Sequence, residues 1–504
     1  MAMGKKIAPP VVSIVLFLLV ISAIGASIVK AESRIIIVPD DYPTLEAAVS
    51  GASSGDTIYL RTGVHEGPIN KTITIDKPLT IIGQNAKQTI IKLYPAYNET
   101  YYLSTPLITY TDAIAITADD CKILNLTLVI ANPGGWISAI GNRTQIIGNT
   151  LSVGYSTGVR VTGSNCFITG NSLNESFAGE TSGLIQVNGR LNEVARNTVS
   201  AVHLDGTMNV VKDNVFEYLH LGIYSNYTSD NLIAGNTVSS GQISIRRSNN
   251  NFFCKNTISG LSWAYGFELW LSTNNTIVAN AIADTMHSMK IGGSSNNTVY
   301  LNNFFGTYPY IIDSYTDLMF RKTFPDIPLS TNLWDNGTYG NYWQGVSVSD
   351  ANGDGVGDSP YTINEKNQDN YPLTNPVDAN SVTINLPDWT LNLPAEPELP
   401  QITVPPPKPS PTPTLTPTPS PTQSSSLPPT TGPTPNTSST PEPSPTNEAT
   451  LTPTPTYTKQ PGFLGTNLPA EYGYAIVAVL VIVVTSGLSF IYFKKLRKDE
   501  LGNK

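Results

Sequence analysis

Between residues 146 and 304 the chain repeats one short alternation of apolar and polar positions. Asn149, Asn171, Asn197, Asn214, Asn236, Asn256, Asn280 and Asn302 are separated by 22, 26, 17, 22, 20, 24 and 22 residues, a period that marks a solenoid. Three residues before these anchors stand Ile146, Ile168, Val194, Val211, Ile233, Phe253, Ile277 and Val299. Two residues after them stand Leu151, Leu173, Val199, Phe216, Val238, Ile258, Ile282 and Phe304. Every one is apolar, and short runs with β-branched and aromatic enrichment predict strands rather than helices. Five residues before six successive anchors lies a second column: Asn192, Asn209, Asn231, Asn251, Asn275 and Asn297. Strands stacked about 4.8 Å apart let each amide donate to the rung on one side and accept from the other. Asparagine also tolerates the left-handed backbone of a sharp corner, so asparagine is expected to make the corners and apolar residues the interior. A disordered Asn-rich tract would not keep apolar positions in register through eight copies.

A third strand precedes each anchor from Asn171 onward by 11 or 12 residues, centred on Arg160, Gln186, His203, Tyr224, Ser244, Glu268 and Lys290. The distance back to the previous anchor instead varies from 6 to 15, which places the length variation in one corner of a three-sided coil.

This pattern resembles the right-handed parallel β-helix of pectin-lyase-like proteins, in particular the NosD-like family of carbohydrate-binding and sugar-hydrolase repeats found on secreted and archaeal surface proteins. The segment "VPDDYPTLEAAVSGASSGDTIYLRTGVHEGPINKTITIDKPLTIIG" is similar to that family's opening, in which a short helix covers the first rung. Its residues 43–49 are good helix formers with Leu45, Ala48 and Val49 on one face, a lid against end-to-end association. The expected fold is all-β: a solenoid of about 22 residues per rung with a helical cap, followed by a disordered stalk and one transmembrane helix. The boundaries read as a cap and first rungs at 32–120, repeats at 121–330 and a C-terminal cap at 331–376, where Trp334 to Trp343 would close the last rung.

The ends add a location. Lys5 and Lys6 precede an apolar run over 11–24, and small residues lead to Ala31, so residues 1–31 read as a secretory signal peptide. Residues 377–460 are rich in Pro, Thr and Ser and read as an extended stalk. Residues 474–493 carry no charge and are followed at once by Lys494, Lys495, Arg497 and Lys498. That pattern predicts a membrane span with a cytoplasmic tail at 494–504 and the bulk of the chain on the extracellular face. The tripeptide at 461–463, "PGF", resembles archaeal C-terminal sorting signals. Ten Asn-X-Ser/Thr sequons suit a secreted chain, and three cysteines encode no disulfide framework. A net charge of −9 without a basic face excludes nucleic acid as a partner.

Two stretches offer chemistry. Strand alternation turns the third-strand centres outward, together with the residues two further on, Thr162, Asn188, Asp205, Asn226, Arg246 and Trp270. Aromatic faces beside amides, carboxylates and cations suit sugar rings, and the resemblance implies a polysaccharide or envelope glycoprotein along this face. Arg160, Gln186, Tyr224, Arg246, Trp270 and Lys290 are the expected glycan contacts. Catalysis would fall to Asp205 and Glu268, with His203 beside them, in a polysaccharide hydrolase or lyase. Three rungs separate the two carboxylates by about 14 Å, beyond the ~9.5 Å of an inverting pair, so binding is the preferred function. The second stretch is "DANGDGVGD", where Asp350, Asn352, Asp354, Asp358 and the carbonyl of Val356 are spaced as calcium-loop ligands. Glu365 or Asp369 would have to complete the shell. The resemblance also raises copper, but His65, His203, His220 and His287 fall on different rungs, and no copper is expected.

Overall fold

The computed structural model describes residues 33–406, apart from segments at 103–104, 132–134, 154–157, 176–182, 218–221, 261–264, 307–309, 314–321 and 323–324. The expected signal peptide, the stalk beyond 406, the span at 474–493 and His220 lie outside the described residues. Among the described residues no helix is long and apolar enough to cross a membrane.

The chain winds as a parallel β-solenoid of about eleven turns with three faces. Face A stacks twelve strands from Ile35–Val38 to Thr298–Tyr300, face B twelve from Gly63–Ile69 to Tyr342–Trp343, and face C eleven from Ile73–Ile75 to Ile311–Asp313. The register is the one the repeat implies. On face A Ile146 pairs with Ile168, then Val194, Val211, Ile233, Phe253, Ile277 and Val299 in turn. These residues are buried and form the interior with their counterparts on faces B and C.

The corners are built differently from the expectation. The ladder asparagines themselves are not left-handed; the residue before each one is, and in the second column that residue is itself an asparagine at Asn250, Asn274 and Asn296. Gly148, Gly170, Arg196, Asp213, Gly235, Lys255, Ala279 and Leu301 have φ between 53° and 66°, each one step ahead of an anchor. A left-handed residue with a side chain costs roughly 1–2 kcal/mol. The asparagine that follows offsets it. Asn214, fully buried, donates its backbone N–H (3.0 Å) and Nδ2 (3.0 Å) to Oδ1 of Asn236, and Nδ2 again to the Val194 carbonyl (2.9 Å). Three bonds at about 0.5–1.5 kcal/mol each outweigh the strain. The arrangement recurs from Asn149 through Asn302 to Asn341. The second column forms a parallel ladder from Asn192 to Asn332. Cys166 occupies the same column one turn earlier, its N–H donating to Asn192 Oδ1 (2.8 Å), so the cysteine is a corner residue. A third ladder of hydroxyls, Ser248, Ser272, Ser294 and Ser330, closes the corner at the end of face C.

Each ladder needs a terminal acceptor. Asn341 N–H donates to Asp369 Oδ2 (2.8 Å), Asn332 N–H to Asn367 Oδ1 (2.9 Å) and Ser330 N–H to Asp313 Oδ2 (2.9 Å). Trp343 and Trp334 donate their indole N–H groups to the first two of these acceptors, at 2.8 and 2.9 Å. Trp343 also stacks on Phe304 with ring centroids 4.6 Å apart, which seals the last turn with aromatic surface. At the other end the helix Leu45–Gly51, capped by Thr44 Oγ1, buries Leu45, Ala48 and Val49 over the first turns.

Residues 377–406, expected to open the stalk, run back along the outer side of face A. Asn303 exchanges two 2.8 Å hydrogen bonds with the backbone of Val377. Val382, Ile384, Trp389 and Leu393 then pack on a cluster of Val210, Leu232, Cys254, Val278 and Ala279. Glu396 pairs with Arg196, and Ile402 and Val404 cover Ile37, Tyr59, Ile82, Leu124, Ile147 and Phe167. Arg61, itself paired with Asp40, donates to the carbonyl of Pro405 at 3.0 Å. The outer side of face A is therefore apolar at both ends, with the Glu193–Lys212 ion pair between, as suits a parallel sheet covered on both sides.

Candidate functional site

Face C presents the outward column in the expected order. Arg160 pairs in register with Gln186, then His203, Tyr224, Ser244, Glu268 and Lys290. Asn226, Arg246 and Trp270 form the neighbouring column. Two contiguous hollows open here. One of about 250 Å³ is lined by His203, Asp205, Tyr224, Ser225, Asn226, Ser244 and Arg246. The other, of about 400 Å³, is lined by Asn226, Arg246, Arg247, Glu268 and Trp270. Asn226 and Arg246 form the wall they share.

Glu268 organises the strip. The residue is 8% exposed, and its carboxylate accepts from Ser244 Oγ (3.1 Å) and Arg246 Nη2 (2.9 Å), with Lys290 Nζ 3.8 Å away. Arg246 keeps about half of its side chain exposed (54%), so one edge of the guanidinium is held while the rest faces the hollows. Lys290 also lies 4.8 Å over the ring of Tyr265, which stacks on His287. Towards the start of the face, Arg160 lies 4.5 Å over Trp136 and donates to Gln186 Oε1 at 3.4 Å; Gln186 donates in turn to Asp205 at 3.4 Å. Arg247 stands over Tyr227. His203 meets Tyr224 edge-on at 5.1 Å, and burial lowers its pKa below the usual histidine value despite the opposing charge of Asp205. Its imidazole is thus neutral at pH 7.

The expected glycan contacts all lie on this one strip. Asp205 and Glu268 do not meet: they line different hollows on rungs three apart, and Glu268 is engaged by Ser244, Arg246 and Lys290. Trp136, Tyr265 and Arg247 were not among the expected contacts. Tyr265 opens the strand Tyr265–Trp270 beside the variable corner, where strict alternation would turn it inward, yet it stays half-exposed. Arg247 is a left-handed corner residue with φ 48°.

The acidic turn folds on itself. Asp350 accepts from the N–H groups of Gly353 (2.7 Å), Asp354 (3.2 Å) and Gly355 (3.0 Å); Asp354 accepts from Val356 N–H (2.9 Å) and Asn352 Nδ2 (2.9 Å); Asp358 accepts from Ala351 N–H (2.8 Å). Asp369, offered by the sequence to a calcium shell, is instead buried as the terminal acceptor of the anchor ladder, where desolvation pushes its pKa up to about 6.

Residues 186–348 match the family model described as periplasmic copper-binding protein (NosD). Over those residues the chain is NosD-like. No curated protein matches the chain. A mutant of the PL6 family alginate lyase AlyGC superposes with a TM-score of 0.39 at 12% identity, over 54% of this chain and 43% of that one. The PL6 family polysaccharide lyase Pedsa3628 from Pseudopedobacter saltans gives 0.38 at 13%, over 62% and 94%. PfbA, a surface adhesin of Streptococcus pneumoniae, gives 0.34 at 11%, over 53% and 86%.

The copper in the family's description finds no gathered set of donors among the described residues. Among the described residues no three His, Cys, Asp or Glu side chains converge as a metal-binding group. Cys121, Cys166 and Cys254 are buried on separate turns, and His65 Nε2 lies 2.8 Å from the Arg61 carbonyl. Copper sites need clustered soft or imidazole donors, which these residues do not supply.

Proposed function

We propose that face C binds an acidic glycan chain without cutting it. The observation that carries this reading is the pair of contiguous hollows sharing Asn226 and Arg246. Together they offer a groove along the solenoid axis, with aromatic faces at Tyr224 and Trp270 for sugar C–H surfaces and amide, hydroxyl and guanidinium groups for hydroxyls. The charge balance supports an anionic ligand: Arg160, Arg246, Arg247 and Lys290 face Asp205 and Glu268 on a chain whose net charge is −9. Glu268 pre-orients Arg246, which lowers the entropy lost when the guanidinium closes on a sugar carboxylate. Against cleavage stands the separation of Asp205 from Glu268, about 14 Å at three rungs, where an acid/base pair must flank one bond.

The test is incubation of the full chain with neutral and acidic polysaccharides of matched length, assaying retention, new reducing ends and unsaturated sugars together. Retention of acidic chains with no new ends is expected. Product release that disappears in Asp205→Ala or Glu268→Ala would make the groove an active site instead.

A further inference from the structure

The outer side of face A carries two apolar clusters, and the chain's own residues 377–406 cover both. The cover is long, thin and held at its far end by few polar ties. At its near end it is rooted by the reciprocal Asn303–Val377 bonds. Beyond that root the described polar ties are the Arg196–Glu396 pair, on exposed side chains, and the single Arg61–Pro405 bond. The interior does not depend on these contacts, because its columns close through faces A, B and C alone.

We propose that residues 377–406 are a releasable strap, and that two copies of the chain associate by exchanging it, each strap lying on face A of the other copy. The partner is a second copy because the fit between this groove and this strap is already realised within one molecule. An exchanged strap recreates every contact with no new surface, the low-cost route to a dimer. The strap's own hinge at Val377 sits beside the last turns, so release leaves the root in place while the apolar residues from Val382 to Val404 come free. Exposed together, the two clusters make two apolar patches on face A, parted by the Glu193–Lys212 ion pair, that favour being covered again.

Cys254 supplies a built-in reporter. It is 2% exposed within the cluster that Trp389 and its neighbours in the strap pack against, and burial pushes its thiol up to about 11, so it reacts only when the strap opens. Cys121 and Cys166 sit in corner ladders instead and serve as internal controls.

The experiment mixes isotopically light and heavy copies of the full chain carrying Arg196→Lys. The substitution keeps the charge opposite Glu396 and lets a carbodiimide link the two side chains. Linked peptide pairs of mixed isotope are expected in the dimer fraction on size exclusion, rising with concentration. In Trp389→Ala the Cys254 thiol should label roughly tenfold faster or more, with Cys121 and Cys166 unchanged. Same-isotope pairs alone at every concentration overturn the exchange whatever the thiol does. Equal Cys254 labelling in Trp389→Ala and the parent chain overturns the release.

Discussion

Asp369 shows how one residue can bind the fold to pH. It is fully buried and accepts hydrogen bonds from Asn341, Trp343 and Tyr371, yet desolvation dominates and raises its pKa to about 6. A raised folded-state pKa gives stability that is complete below the unfolded value near 3.9 and lost as pH rises through the folded one. The shift of about two units corresponds to roughly 2–3 kcal/mol. The melting temperature is therefore expected to fall between pH 4.5 and 7.5, and Asp369→Asn to flatten that slope, as scanning calorimetry across the range would show. His203 acts in the opposite sense and on binding. Its lowered pKa keeps it neutral at pH 7, so an acidic glycan should bind more tightly as pH falls below about 6.5, and His203→Gln should remove the dependence. Titration calorimetry at two pH values checks both statements.

At the scale of elements, the corner ladders decide stability. Asn236→Ala deletes the acceptor for two N–H groups of the buried Asn214 and the donor to Val211 and Asn256. Leaving such groups unmet costs about 1–3 kcal/mol each, so a loss of roughly 2–4 kcal/mol is expected in urea titrations. Substituting the exposed Asn249, in the corner between faces C and A, should change stability by less than about 0.5 kcal/mol. These elements were legible because each ladder amide is fixed to an apolar column by constant spacing, and both repeat every turn. The left-handed step before each ladder asparagine was only partly legible: Gly148, Gly170, Gly235, Asn250, Asn274 and Asn296 favour it, but Leu191, Met208, Ala279 and Leu301 carry no side-chain signal for it, and neighbouring ladder bonds impose it there. The hydroxyl ladder was hidden for a related reason, since serine is common in any polar corner. The strap escaped because proline content outweighed the sparse apolar residues Val382, Ile384, Trp389 and Leu393, which have meaning only against face A.

For the whole molecule, stacked turns convert a one-dimensional repeat into three long faces with separate tasks. Face A is sealed by the strap, face B is mostly small and uncharged, and face C concentrates cations on an acidic chain. Attraction between that strip and an anionic ligand is exposed to solvent and is screened at high salt. Affinity for an acidic polysaccharide should accordingly weaken between 50 and 500 mM salt, roughly tenfold or more if two or three charges are engaged. The most direct test of the account is titration calorimetry of the full chain and its Arg246→Ala variant with one acidic polysaccharide and its carboxyl-reduced form. The account predicts binding of the acidic chain alone, weakened about tenfold or more in the variant with its circular dichroism unchanged. Equal affinity in the two proteins, or equal affinity for the reduced polymer, would contradict it.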